Sequence, residues 1–216
     1  MEQGDMVLID YVGKTSDGDI FDISNEERAR EEGVYSDEVE YRPVPVLIGS
    51  KYVIEGLEDK IAGMEPGDKE ENIQIPSEEA YGQRESDKIQ TYPEKEFKKQ
   101  DVNVRVGDEV MVGNRKGKVL SNSSGRVRVD FNHPLSGEDL VYEVEIVDKV
   151  EDDEEKARQI FRYRLGHGDL NFEDDKVEID HSSADHDIPG ELKQNVREEI
   201  LNSTNFNEVN VKDKQN

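Results

Sequence analysis

Few side chains in this sequence could carry covalent chemistry. There is no cysteine among the 216 residues, which removes disulfides, thiol nucleophiles and Cys-zinc sites together. His181 and His186 sit among Asp180, Asp185 and Asp187, types that could ligate a metal but read better as isolated surface histidines near acids. His167 stands apart, and His133, in Asn132-His-Pro134, reads as a turn residue or as a functional one. Asn122-Ser-Ser and Asn202-Ser-Thr match the glycosylation acceptor, which has meaning only in a secreted chain. Taken singly, Tyr11, Ile54 and Leu57 read as core residues and Asp22 as a solvated acid at a strand end.

The charge balance narrows the partners. With 53 acidic against 28 basic residues the net charge is −25. A phosphate-backbone binder needs clustered Lys and Arg to release counterions, so nucleic acid is not an expected partner. No run approaches the roughly 18 apolar residues of a membrane span, and the N-terminus lacks the charged and apolar regions of a secretory leader. The chain is expected in the cytoplasm, with no membrane association. Regular Val/Ile alternation points to a folded chain adapted to a salty, halophilic interior rather than to a disordered acidic one.

The elements that must position any site follow from periodicity and punctuation. Residues 6–12 alternate as a strand, a turn follows at Thr15–Gly18, and Ile20–Ile23 forms a second strand. Ser24 with Glu27 has capping-box spacing for a helix ending at Gly33. Pro43–Ile48 is extended because two prolines bar a helix, and Ile54–Ile61 has helical spacing stopped by Gly63. Residues 70–75 alternate as a strand. Between 84 and 130 there are eleven basic and eight acidic residues, against the trend of the whole chain. Strand patterns at 109–112, 116–120 and 126–131 make that window a separate small β domain. Residues 139–147 return to a long acidic strand. Beyond 148, helical patterns at 151–165 and after Pro189 alternate with strand patterns at 177–179 and 206–211, an α+β order.

Six motifs stand in register along the chain. They are Asp17-Gly-Asp-Ile-Phe-Asp22, Leu47-Ile-Gly-Ser-Lys-Tyr-Val-Ile-Glu-Gly-Leu57, Met64-Glu-Pro-Gly-Asp-Lys69, Ala80-Tyr-Gly82, Asp130-Phe-Asn-His-Pro-Leu-Ser-Gly137 and Leu140-Val-Tyr-Glu-Val-Glu145. Together they resemble the FKBP-type prolyl cis/trans isomerases, in the SlyD-like and long archaeal branch. The resemblance implies an α+β fold in which an antiparallel half-barrel sheet wraps a short helix, with an inserted small β domain and a C-terminal α+β extension. It places the catalytic domain at 1–83 and 132–148, the insert-in-flap domain at 84–131 and the extension at 149–216. It also implies a pocket lined by Tyr11, Phe21, Val53, Ile54, Leu57, Tyr81 and Tyr142, with Ile54 and Leu57 as its floor. Asp22 would orient the amide or anchor Tyr11, and Phe131, His133 and Leu135 would border the groove. Leu57 stands where many relatives carry Trp, and Tyr142 where Phe is usual. The dense His/Cys tail that binds metal in SlyD-like relatives is missing, so neither a metal nor another cofactor is expected.

Such chemistry suits these residue types. Rotation about a prolyl amide faces a barrier of about 18–20 kcal/mol and breaks no bond, so no nucleophile or metal is required. A dry, aromatic-lined pocket disfavours the charge-separated planar amide more than the twisted one. A thousandfold gain takes only about 4 kcal/mol. The expected partners are unfolded or nascent proline-containing polypeptides. In the insert, an edge carrying Val102, Val104, Val106, Val110, Met111 and Val112 could accept an extended client by β-augmentation. The competing expectation is a catalytically weak holdase or assembly adaptor, and a homodimer through the C-terminal region is a further one. Self-repulsion at −25 is screened by salt, so the thermal midpoint is expected to rise with ionic strength. Melting curves at low and at molar salt test this, and coincident midpoints would refute it.

Overall fold

The computed structural model describes residues 1–99, 103–166, 168–180 and 188–212. The described chain is α+β, with largely antiparallel sheets. It clusters into two compact units, Met1–Ile75 with Leu140–Asn216, and Pro76–Asp139. Val102, His167, His181 and His186 lie outside the described residues. No helix among those described is long and apolar enough to cross a membrane.

The first unit is organised on two long strands, β1 (Met6–Thr15) and β9 (Leu140–Val150), paired antiparallel over ten residues. The free edge of β1 is shared. Its first half takes β3 (Val44–Leu47) and its second half takes β2 (Ile20–Ile23). On the far side of β9 lies β4 (Lys69–Ile75), giving the order β2-β1-β9-β4 with β3 beside β1. Alternation along β1 and β9 buries Val7, Ile9, Leu140, Tyr142, Val144 and Ile146. Helix α2 (Glu55–Ala62) buries Gly56, Leu57 and Ile61 and packs against β4, whose buried side chains are Ile73 and Ile75.

Helix α1 (Glu26–Glu31) closes the other face. Its Ala29 packs with Val12 and Ile23, with Ile20, Tyr35 and Tyr41 at the margin. The cap is not the expected one. Asn25 accepts from Arg28 N, while the Ser24 hydroxyl is buried, accepts from Tyr11 N and donates to Asp10. A hydroxyl facing a neighbouring strand finds a partner there before it can turn back on its own helix. Glu143 then ties α1 to the sheet, accepting from Lys14 at 2.8 Å and from Arg28 at 2.9 Å.

The C-terminal part runs α4 (Asp153–Arg164), β10 (Asp169–Glu173), β11 (Lys176–Asp180), α5 (Gly190–Ser203) and β12 (Glu208–Lys212). Two strands rather than one separate the helices; β10, half-polar, lacked the apolar density to show in sequence. The sheet order is β10-β11-β12, with β11 and β12 parallel. Asp152 caps α4 by accepting from Glu155 N; acids fill its first turn and Arg162 and Arg164 its last, matching the helix dipole. Ile160, Ile179, Val196 and Ile200 are fully buried, and α4 contacts β3 and β9.

The second unit is a four-stranded antiparallel sheet ordered β5-β8-β7-β6. Its strands are β5 (Ile89–Pro93), β6 (Glu109–Val112), β7 (Arg115–Ser123) and β8 (Arg126–Asp130), with the short helix α3 (Glu94–Lys98) after β5. Its core is Phe97, Val104, Val110, Val119, Val127 and Val129. Asp130, only 3% exposed, would be pushed up by burial, yet Asn132 and Arg84 hold its pKa below the ordinary value.

Hydrogen bonding from Lys14, followed by that from Arg28, outweighs desolvation and lowers the Glu143 pKa. A depressed folded-state pKa contributes stability above the unfolded value, lost as pH falls through the folded one. Glu143→Gln is therefore expected to cost about 1 kcal/mol at neutral pH, with the gap from the unaltered chain closing below about pH 4. Urea unfolding at pH 7 and at pH 3.5 measures both, and a gap of equal size at the two pH values would contradict it.

Candidate active site

In the first unit the β1/β9 register gathers the aromatic residues. Gly13 lies opposite Tyr142 and Tyr11 opposite Val144. Directly opposed residues project to one face, so Tyr11 and Tyr142 are side by side there, ring centroids 6.1 Å apart. Ile73 of β4 is also opposite Tyr142, which puts these rings on the face that α2 covers. Phe21 reaches the same ring from β2, edge-on at 5.8 Å. The Tyr11 hydroxyl donates to Asp22 Oδ2 at 2.5 Å, and Asp22 Oδ1 accepts from Ile23 N. Asp22 thus anchors Tyr11. Tyr142 is 5% exposed, whereas Tyr11 and Phe21 are half-buried.

Val53 and Ile54 are half-buried at the start of α2, where Ile54 is the N-cap and its carbonyl accepts from Leu57 N and Glu58 N. Leu57 is 2% exposed. The turn before them is held by Glu58, which accepts from Gly49 N and Lys51 N; Lys51 has φ +53°, the left-handed region.

The remaining expected residues belong to the second unit. Tyr81 stacks on His133, centroids 3.9 Å apart and planes 9° from parallel. His133 Nδ1 accepts from Leu135 N, and partial burial lowers the His133 pKa, favouring the neutral ring. Leu135 is half-buried. Ser136 donates to the Tyr81 carbonyl and Gly137 N to the Gly82 carbonyl, so the Ala80-Tyr-Gly82 and His133–Gly137 segments fold as one piece.

Three of the expected client contacts lie in or against the small unit's own core. Val104 and Val110 are 7% and 6% exposed, packed in the small unit's core, and Phe131 packs against that core beneath the Arg115 guanidinium. A unit this small uses nearly every valine for its own stability. Met111 remains outside at 58% exposure, on the edge strand β6.

Gly13 went unremarked in the sequence although it shapes the site. A Cβ there would meet Phe21 Cζ at 2.6 Å and Tyr142 Cε1 at 3.1 Å. The strand pattern read from sequence stops at residue 12, whereas the strand runs to Thr15, and a glycine inside a strand marks close approach by a neighbour. The Tyr81–His133 stack had no such signal, since 52 residues separate the rings. Among the described residues no group of three or more His, Asp or Glu is placed to hold a metal ion. What the first unit offers is an apolar, aromatic face with one hydrogen-bonded carboxylate. That suits binding and desolvating an uncharged group.

Comparison with known proteins agrees with this geometry. Residues 90–135 match the family described as FKBP26, IF domain. A short-type peptidyl-prolyl cis-trans isomerase of Methanocaldococcus jannaschii is 34% identical over 148 residues, covering 68% of this chain and 93% of that protein. A probable FKBP-type 16 kDa peptidyl-prolyl cis-trans isomerase of Pseudomonas fluorescens is 30% identical, covering 49% and 72%. The FKBP-type isomerase SlyD of Escherichia coli K12 is 31% identical, covering 65% and 69%. With its aromatic strand face and these relatives, the chain belongs to the FKBP family of peptidyl-prolyl cis-trans isomerases.

Proposed function

We propose that this chain catalyses cis/trans isomerisation of Xaa-Pro bonds in unfolded or partly folded proteins, and that residues 84–131 act as an insert-in-flap domain that captures such clients. The observation carrying the catalytic half is the trio of Tyr11, Phe21 and Tyr142 around the Cβ-free Gly13, with Asp22 fixing the Tyr11 hydroxyl. A pyrrolidine ring against these faces is dry and oriented. Its amide loses charge separation on twisting, so a site poor in water lowers the barrier by favouring the twisted form. Val53, Ile54 and Leu57 supply the floor, and the family resemblance adds Tyr81 as a candidate donor to a client carbonyl. No step transfers an electron pair or forms a bond to the protein.

In this reading the catalytic domain comprises 1–83 and 132–148, and 149–216 is a C-terminal extension. Support for client capture comes from the match of 90–135 to the IF domain and from exposed apolar groups in that segment. Met111 is 58% exposed on an edge strand, and Val106 is 68% exposed. An unpaired strand edge offers main-chain hydrogen bonds to an extended chain of almost any sequence, and an exposed Met adapts to varied side chains. The local excess of basic residues over 84–130 also spares acidic clients from repulsion.

A protease-coupled assay on a short Xaa-Pro peptide is expected to show turnover, reduced on the order of tenfold by Asp22→Ala and by Tyr81→Ala. No rate gain, together with suppressed client aggregation, would instead identify a holdase. Replacing residues 84–131 by a short linker is expected to preserve peptide turnover while slowing proline-limited refolding of a protein substrate severalfold. Equal loss on both substrates would count against separate roles for pocket and insert.

A further inference from the structure

The segment entering α2 is held from outside the isomerase sheet. Tyr52, immediately before Val53 and Ile54, is 7% exposed, and its ring stacks on Tyr163 of α4 with centroids 4.2 Å apart and planes 12° from parallel. The Tyr163 hydroxyl donates to the Tyr52 carbonyl at 2.9 Å. The Tyr52 hydroxyl in turn donates to Glu199 of α5 at 2.8 Å. Arg164 completes the clamp, donating to Glu199 at 3.0 and 2.5 Å and lying 4.4 Å over the Tyr52 ring. Burial, then the Glu199 charge, raises the Tyr52 pKa, so its phenol remains a donor.

We propose that Tyr163, Arg164 and Glu199 are positioning residues for the isomerase reaction, acting through Tyr52 to set the backbone of Val53 and Ile54. This rests on the isomerase reading above. The argument is geometric. A peptide unit is planar, so orienting the Tyr52 carbonyl orients the Val53 N–H as well. Upstream, the turn already contains Lys51 in the left-handed region, a conformation that persists only where surroundings enforce it. Packing alone does not hold it, because a polar cavity of about 430 Å³ opens beside Gly49 and Ser50, bounded by Asn195 and Asn202. Glu58 pins the turn at Gly49 and Lys51, and the clamp pins it at Tyr52. Both halves are required because each fixes a different peptide plane.

The test uses the full chain and two readouts, peptide isomerisation and amide hydrogen exchange over residues 50–55. Tyr163→Ala removes ring and hydroxyl and is expected to lower kcat/KM roughly tenfold, mainly through kcat, since misplacement costs orientation. Tyr163→Phe keeps the stack and loses only the hydroxyl, with an expected loss of roughly twofold to threefold. Glu199→Gln, which releases Arg164, serves as a second route should Tyr163→Ala not fold. Exchange in the segment should quicken in step with each loss. Phe172→Ala destabilises the same C-terminal region by removing the Phe172–Phe206 stack, which includes no member of the clamp, and is expected to leave both readouts unchanged well below its melting temperature. Unaltered exchange and unaltered kcat in Tyr163→Ala and Glu199→Gln would overturn the inference alone. So would an equal effect from Phe172→Ala, by reducing the clamp to general stability. A wild-type chain without turnover would overturn the isomerase reading and this inference with it.

Discussion

The ten cross-strand pairs between β1 and β9 are the constraint on which the first unit rests. They join residues 6–15 to residues 140–150, so the chain between them must leave and return before the central pair exists. Closing a loop of that length costs chain entropy that grows only slowly with length, but it precedes any reward from the contacts. Once formed, the pairing places Tyr11, Gly13 and Tyr142 on the aromatic face, which Phe21 joins from β2. A slip of one residue would turn Tyr11 and Tyr142 outward and bring Asp10 and Glu143 inside, which the alternating burial forbids. Gly13 is part of the same constraint. At that register a methyl group on residue 13 would collide with Phe21 and Tyr142, so three rings can gather only where one strand residue has no side chain.

The same economy governs charge. A chain at −25 has little opportunity to neutralise most of its acids, and most of them are solvated. Some carboxylates are treated differently, shared between side-chain partners where elements meet, among them Glu143 with Lys14 and Arg28, Asp130 with Arg84 and Asn132, and Glu199 with Arg164 and Tyr52. A half-buried carboxylate with several donors recovers its lost hydration and fixes geometry, whereas exposed pairs contribute little. The scarce cations are therefore most consequential at joints, holding α1 to the sheet and α4 to α5.

Prolyl isomerisation needs shape and dryness more than ionisable groups, which makes backbone placement the sensitive variable. Tyr11 and Tyr142 are placed by sheet register. Val53 and Ile54 are placed by a turn, and turns are softer than ladders. It is at this softer element that the C-terminal helices make their aromatic and ionic contact. A chain with only the antiparallel sheet and α2 would keep the Glu58 contacts and the Ser50 N to Leu47 carbonyl bond, but lose the hold at Tyr52.

Most elements were legible in sequence because their signals are local. Alternating Val and Ile marked β1, β6, β8 and β9, Gly63 and the 3.6-residue spacing marked α2, and a helical pattern over 151–165 marked α4. The motifs that named the candidate aromatic and acidic residues are local signals too, at fixed spacing. What failed was information that depends on the neighbour across space. Ser24 does not cap α1 because β1 offers it partners, and Val104 and Val110 join Phe97, Val119, Val127 and Val129 in a core that so small a unit fills with most of its apolar side chains. The clamp on Tyr52 joins residues over a hundred positions apart in sequence, and no periodicity encodes it. Residue types and spacing by themselves determined most of the elements, the family and the chemistry the chain can attempt. Only the tertiary structure decided which tyrosines touch, which valines are inside and what steadies the turn, because those depend on distances that chain order does not specify.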